Sequence, residues 1–80
     1  MITDGEVNRA VNAVATTLRD QRPGRFEPER VQAIVDGALG GERKLTVRRH
    51  DDASGELVGP DGRQVAVVTL RGGVWTATRG

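Results

Sequence analysis

The apolar residues change their spacing near Leu45, and this change limits the possible folds more than any other feature of the chain. Before that point, apolar residues recur every three or four positions, which is the spacing of one helical face. After it, apolar and polar residues alternate and β-branched residues become common, which is typical of strands. We therefore predict an α+β fold in which two N-terminal amphipathic helices pack on one face of a three- to four-stranded antiparallel β-meander, in the order α-α-β-β-β-β.

The length of the chain indicates one domain. Its 80 residues can build only one hydrophobic core, since domains commonly contain about 100 residues or more. The chain has no cysteine, so neither a disulfide nor a thiolate metal site can stabilise it. We predict a single small α+β domain over residues 1–80, whose stability depends on side-chain packing or on a partner.

Two signals agree on the start of the first helix. Thr3 followed by Glu6 fits a capping box, in which each side chain accepts a hydrogen bond from the other residue's backbone N–H. Ile2 and Val7 stand at the positions of a hydrophobic staple. The helical pattern ends within residues 20–24, where a Pro-Gly pair disfavours further helix.

The second helix is predicted over residues 28–39. Pro28 suits the first helical position. Phe26 and Val31 then stand at the two positions of a second hydrophobic staple. The pair Gly40-Gly41 supplies the left-handed conformation that commonly closes a helix.

The second half of the chain predicts strands joined by short turns. The strands are expected at residues 45–50, 56–58, 63–70 and 74–78, with a loop at 51–55, a type I turn at 59–62 and a two-residue hairpin loop at 72–73.

The two-residue loop Gly72-Gly73 fixes the register of the last hairpin. It pairs Arg71 with Val74 and Leu70 with Trp75, so that alternate residues point to opposite faces of the sheet. The face predicted to receive the helices carries Ala66, Val68, Leu70, Trp75 and Ala77. The opposite face carries Val65, Val67, Thr69, Arg71, Val74, Thr76 and Thr78. Trp75 is therefore predicted to lie in the core.

The composition excludes most catalytic chemistry. The chain has no Cys, no Tyr and a single His, which rules out a thiol nucleophile and a multi-histidine zinc site. The stretch from His50 to Ser54 offers a base, two acids and a hydroxyl, but neighbours in sequence rarely converge with triad geometry. Asp51, Asp52 and Glu56 lack the spacing of an EF-hand, which favours a solvated acidic turn. We expect no enzymatic activity, no cofactor and no metal site.

The chain shows no signal for a membrane or for export. No run approaches the roughly 18 consecutive apolar residues that a membrane span needs. Residues 1–6 lack the basic region and the apolar stretch of a signal peptide. We therefore expect a cytoplasmic protein with no membrane partner.

Positive charge is concentrated in the second half of the chain. Residues 1–42 carry a net charge of −2 and residues 43–80 carry +3. Because arginine suits phosphate binding, a nucleic-acid-binding regulator that uses this basic half is the alternative function. Against it, Phe26 and Trp75 are the only aromatic residues and both have structural roles, so the sheet has no stacking platform. The acidic start of the second helix also disfavours its entry into a DNA groove.

Binding to a protein or a nucleoprotein complex is the function that the sequence favours. A partly apolar sheet face and an edge strand offer a surface for a partner. We expect a small non-catalytic module that occupies the surface of a macromolecular partner, as inhibitors and regulators encoded by phages or mobile elements do. Anti-CRISPR proteins are comparable by type only. The protein itself is expected to be a monomer or a weak homodimer. The candidate partner-binding residues are Arg48, Arg49, Arg71, Asp51, Asp52, Glu56, Val65 and Val67.

Overall fold

The computed structural model describes residues 2–20 and 24–79. It contains helices α1 (Asp4–Arg19) and α2 (Pro28–Ala38) and strands β1 (Thr46–Asp51), β2 (Ser54–Val58), β3 (Gln64–Arg71) and β4 (Val74–Arg79). The strands form one antiparallel sheet in the order β1-β2-β3-β4. This arrangement confirms the predicted α+β meander and sets the number of strands at four.

Helix α1 begins with the predicted capping box. The Glu6 N–H donates a hydrogen bond to Thr3 Oγ1 over 3.2 Å, and the Thr3 N–H donates to Glu6 Oε1 over 3.1 Å. The helix ends at Arg19, and Asp20 is its C-cap. The turn predicted within residues 20–24 rests mostly on residues 21–23, which lie outside the described part of the chain.

Helix α2 begins at Pro28, as predicted, and ends at Ala38, one residue before the predicted end. The Gly41 N–H donates to the Asp36 carbonyl over 2.7 Å. This is the hydrogen bond of a Schellman motif that spans six residues. Gly40 and Gly41 both have positive φ values, which residues with a side chain rarely adopt. The glycine pair therefore ends the helix as predicted.

Both helices lie on the same face of the sheet. Helix α1 packs over β4 and also contacts β3, whereas α2 packs over β1 and against α1. Phe26 and Val31, the predicted staple pair, are each only 2% exposed. The ring centroids of Phe26 and Trp75 are 6.1 Å apart, within the range of favourable aromatic pairs. The buried core consists of Val7, Ala10, Val11, Val14, Leu18, Phe26, Val31, Val35, Leu39, Leu45, Val47, Leu57, Ala66, Val68 and Trp75.

The Gly72-Gly73 loop produces the predicted register. Arg71 pairs with Val74, and Leu70 pairs with Trp75. The two glycines have φ values of 57° and 79°, as a type I′ turn requires. Trp75 consequently points toward the helices and is buried, which confirms its predicted place in the core.

The connection between β2 and β3 contains the predicted turn and an irregularity that the sequence did not indicate. The Gly62 N–H donates to the Gly59 carbonyl over 3.0 Å, which closes the turn at residues 59–62. The register then shifts, so that Val58 pairs with Gln64 and leaves Val65 as an extra residue. Val65 is half-buried and packs against the core, which makes it less available to a partner than strict alternation predicts.

The predicted loop at residues 51–55 is wrong. Strand β1 extends to Asp51 and β2 begins at Ser54, so only two residues join them. The prediction treated Gly55 as a turn residue. Gly55 is instead a buried strand residue against which the Phe26 ring packs, so the glycine is needed there for space and not for a turn. The other strand ends lie within one residue of the predicted ones.

The first turn of α1 is joined by an ion pair to the segment that leads into β1. Lys44 Nζ lies 2.5 Å from Glu6 Oε2. The hydrogen bond from Lys44, followed by the one from the Thr3 N–H, lowers the pKa of the Glu6 carboxyl below its ordinary value. A carboxyl whose pKa is lowered by folding stabilises the fold above its unfolded pKa of about 4.3. That stabilisation is lost as the pH falls through the folded-state pKa.

We expect a Glu6→Gln variant to be less stable than the wild type at neutral pH, because glutamine keeps the capping box but loses the charge that attracts Lys44. The difference should begin to shrink as the pH falls below the unfolded-state pKa of about 4.3. It should vanish below the lowered folded-state pKa, where the wild-type carboxyl is also neutral. Urea unfolding at a series of pH values measures both effects. Glu29→Gln, in the exposed first turn of α2, is the control. A difference that stays constant over the whole pH range would contradict this role for Glu6.

Candidate functional site

The main candidate surface is the outer face of the sheet, which is the face opposite the two helices. One row of residues crosses all four strands there: Arg48 pairs with Glu56, Glu56 with Val67, and Val67 with Thr78. Residues paired across neighbouring strands point to the same side of a sheet. The outer face is formed by Arg48, His50, Ser54, Glu56, Val67, Thr69, Arg71, Val74, Thr76 and Thr78.

Glu56 occupies a charged position between two basic residues of β1. Its Oε1 lies 4.0 Å from Arg48 Nε, and its Oε2 lies 3.5 Å from His50 Nε2. The Glu56 side chain is only 13% exposed, whereas the side chains of Arg48 and His50 are 66% and 52% exposed. Exposed ion pairs contribute little to stability, so the main effect of this arrangement is on the charges that the outer face presents to a partner. It presents basic groups outward above a carboxylate that is largely covered.

The part of the outer face on β3 and β4 carries hydroxyl and apolar groups. The Oγ1 atoms of Thr69 and Thr76 lie 2.9 Å apart and share a hydrogen bond. Val67 is half-buried, and Val74, at 49% exposure, is the one large apolar residue that is exposed in the described part of the chain. Apart from the exposed Arg71 at the end of β3, this half of the face therefore suits contacts with apolar and neutral polar groups.

The structure places the two adjacent candidate arginines, Arg48 and Arg49, on opposite faces of the sheet. Arg48 lies on the outer face with Glu56, whereas Arg49 pairs with Gly55 on the helix side, and its guanidinium contacts the Asp52 carboxylate. The alternation of side chains along a strand is the reason. Of the predicted candidates, Arg48, Glu56, Val67 and Arg71 lie on the outer face, and Val65 lies half-buried at the irregularity of β3. Arg49 and Asp52 do not lie on this face.

Asp51 holds the turn between β1 and β2. Its Oδ1 accepts hydrogen bonds from the Ala53 N–H over 2.8 Å and from the Ser54 hydroxyl over 2.9 Å. These two bonds, the backbone one first, lower the pKa of the Asp51 carboxyl below its ordinary value. Asp51 therefore has a structural role at the rim of the outer face, whatever it contributes to a partner.

Gln32 has a structural role that the sequence analysis missed. Its amide Nε2 donates to the Leu45 carbonyl over 2.8 Å, and its Oε1 accepts from the Val47 N–H over 2.9 Å. The side chain thus satisfies two backbone groups on the side of β1 that has no neighbouring strand. One polar residue beside the apolar stripe of Val31 and Val35 was the available signal.

Residues 2–20 and 24–79 contain neither a metal-binding cluster nor a membrane-spanning helix. No three His, Asp or Glu side chains there lie close enough together to bind one metal ion. Neither described helix is both long enough and apolar enough to cross a membrane.

Comparisons of the chain with protein-family models, with curated proteins and with solved structures gave no significant match. The function must therefore be argued from the outer face and the edges of this sheet.

Proposed function

We propose that this protein is a non-catalytic binding module that acts by occupying the surface of a macromolecular partner. The observation that supports the proposal is the outer face of the sheet, which spans four strands and is covered by neither helix. A face of this kind is available to a partner without any rearrangement of the fold. The core is complete beneath it, since both helices pack on the other side.

The composition of the outer face supports a macromolecular partner. Arg48 and Arg71 provide exposed guanidinium groups, which can form paired hydrogen bonds with carboxylates or phosphates. Val67 and Val74 provide apolar contact area between them. Apolar residues bordered by charged ones, with arginine prominent, are typical of protein–protein interfaces.

The type of regulator is part of this proposal. A domain of 80 residues with no cysteine, no tyrosine and one histidine has few groups for catalysis, whereas an inhibitor that covers a functional surface needs none. We infer a regulator or inhibitor of the kind that phages and mobile elements encode, comparable with anti-CRISPR proteins by type. The cytoplasmic location expected from the sequence belongs to the same proposal.

The test is an affinity pull-down from the native host followed by measurement of affinity for the captured partner. The variant Arg48→Gln/Arg71→Gln removes two positive charges from the outer face and is expected to weaken binding at least about tenfold, the effect of losing about 1.4 kcal/mol. The variant Arg9→Gln/Arg30→Gln removes two positive charges from exposed positions of α1 and α2. It is the matched control and should bind like the wild type. Equal affinity of both variants would exclude the outer face.

Direct nucleic-acid binding is the second candidate, and the net charge of +3 over residues 43–80 favours it. The two aromatic rings, Phe26 and Trp75, are buried on the helix side of the sheet, so bases would have no aromatic platform on the outer face. Nuclease treatment during the pull-down distinguishes the two functions. A nucleic-acid binder would also bind nonspecific duplex with an affinity that falls steeply with salt. Absence of duplex binding at low salt would remove this candidate.

A further inference from the structure

The two edges of the sheet differ in how they are protected against pairing with another strand. On β1, the Gln32 amide hydrogen-bonds the outward-facing Leu45 carbonyl and Val47 N–H. The same strand is rich in charge and contains a register irregularity at His50. Bonded edge groups, charged residues and bulges are the usual means by which proteins block strand addition.

Strand β4 has no bonded edge group and no bulge, and its one charged residue is Arg79 at its end. The residues that flank a two-residue hairpin loop share both of their hydrogen bonds, and such pairs alternate along the ladder. Val74, Thr76 and Thr78 therefore bond to β3, while Trp75 and Ala77 direct their N–H and C=O groups away from the sheet. Within residues 2–20 and 24–79, no hydrogen bond reaches those outward backbone groups.

We propose that the outer edge of β4 pairs antiparallel with β4 of a second copy of this chain, forming an eight-stranded sheet. A two-fold axis at Ala77 places Ala77 opposite its own counterpart and Trp75 opposite Arg79, so that the outward groups of each strand bond to the other. Thr76 of each copy then faces Thr78 of the other on the outer face. Closed two-fold pairing leaves no free β4 edge.

The sequence of β4 suits pairing with itself. The residues from Val74 to Thr78 carry no charge and include no proline. Threonine pairs across an antiparallel ladder are favourable, because the side chains pack and can share hydrogen bonds. The two-fold axis produces this Thr76–Thr78 pair twice. The side-chain hydroxyls already share such a bond between Thr69 and Thr76 within one copy.

The charges of α1 also fit a second copy. Arg79 Nη2 lies 3.0 Å from Asp4 Oδ1, and Arg79 Nη1 lies 3.3 Å from Asn8 Oδ1, so the start of α1 lies beside the end of β4. Ala15 and Arg19 share this stripe of α1 by helical spacing. The two-fold axis sets the two α1 helices antiparallel, which brings the acidic first turn of one toward Arg19 of the other. The residues between Asp4 and Arg19 on this side of α1 include Asn8, Asn12 and Ala15. Small and polar side chains of this kind allow the two α1 helices to approach each other closely.

The experiment measures the mass of the purified protein by sedimentation equilibrium over a range of concentrations at low salt, without any partner. The wild-type mass is expected to approach twice that of the monomer as concentration rises. Thr76→Lys/Thr78→Lys puts like charges opposite each other twice, whereas Thr76→Glu/Thr78→Lys puts opposite charges there twice. We expect the association constant of the second variant to exceed that of the first at least about tenfold.

The two variants are matched, because both replace the same two exposed threonines and both lose the bond to Thr69. Thr46→Lys, an exposed threonine of β1, is the control and should associate like the wild type. A wild-type protein that stays monomeric at all concentrations, or equal association constants for the two double variants, would overturn the proposal. Since no partner is present, these results are independent of whether the outer face binds one.

Discussion

A Gly55→Ala substitution is expected to lower the free energy of unfolding by about 2–3 kcal/mol, the cost of overfilling a packed core. A Cβ atom on Gly55 would lie 2.3 Å from Phe26 Cζ and 2.8 Å from the Arg48 carbonyl oxygen. Neither neighbour can easily move, because Phe26 is buried in the core and the Arg48 carbonyl belongs to β1. The added methyl group must therefore displace the ring or the strand.

Gly37→Ala is the matched control for this substitution. Gly37 lies within α2 with nothing within 4 Å of the added Cβ atom, so alanine should stabilise the protein by about 0.5–1 kcal/mol. Urea unfolding measures both variants. Opposite signs of the two changes in the free energy of unfolding would distinguish the steric clash at Gly55 from the backbone effect that any glycine-to-alanine change has. A Gly55→Ala variant as stable as the wild type would show that Phe26 does not pack on β2.

Combining Gly55→Ala with Phe26→Leu tests the contact itself. Leucine lacks the ring atoms that the new methyl group would meet, so the double variant should lose less stability than the sum of the two single variants. Additive losses would mean that the two residues do not interact.

A Gln32→Met substitution is expected to lower the free energy of unfolding by about 2–4 kcal/mol, because it leaves two buried backbone groups without hydrogen bonds. Methionine has nearly the shape of glutamine but neither donates nor accepts as the amide does. The groups that lose their partners are the Leu45 carbonyl and the Val47 N–H. The same change also exposes the edge of β1 to pairing with another strand.

Gln64→Met provides the comparison, since Gln64 is exposed on β3 and should change the free energy of unfolding by less than about 0.5 kcal/mol. Urea unfolding measures the stability of both variants, and light scattering at raised concentration measures their association. If Gln32→Met and Gln64→Met were equally stable, the Gln32 amide would not support β1.

The features that the sequence predicted well depend on residues close together in the chain. The capping box of Thr3 and Glu6, the start of α2 at Pro28 and the register set by Gly72-Gly73 each involve only a few neighbouring positions. Local backbone geometry alone decides them, so the residue types are sufficient evidence. The face of the sheet that Trp75 occupies followed directly from that register.

The features that the sequence did not predict depend on residues that are distant in the chain. Gly55 was assigned to a loop because the ring of Phe26, which requires a glycine there, comes from a separate segment. The buried role of Gln32 depends on the edge of β1, 13 to 15 residues away. Such contacts exist only once the layers are assembled, and no local pattern encodes them.

The candidate site was predicted only in part, because some of its residues are placed by local alternation and others by contacts between distant segments. Arg48 in β1 and Arg71 in β3 lie on the outer face, as the two-residue period of their strands requires. Arg48 and Arg49 were both included among the candidate partner-binding residues, although that period places them on opposite faces. The position of Glu56 beneath Arg48 depends on the pairing of β1 with β2, which the misplaced loop had obscured.

The packing of α1 on β4 has a consequence for synthesis of the protein. The hydrogen bond between Asp4 and Arg79 joins residues 75 positions apart, and the apolar side of α1 packs on both α2 and β4, which follow it in the chain. During translation α1 is made before α2 and β4, and a short isolated helix is marginal in water. Burial of Val7, Val14 and Leu18 is therefore complete only after both α2 and β4 have been synthesised.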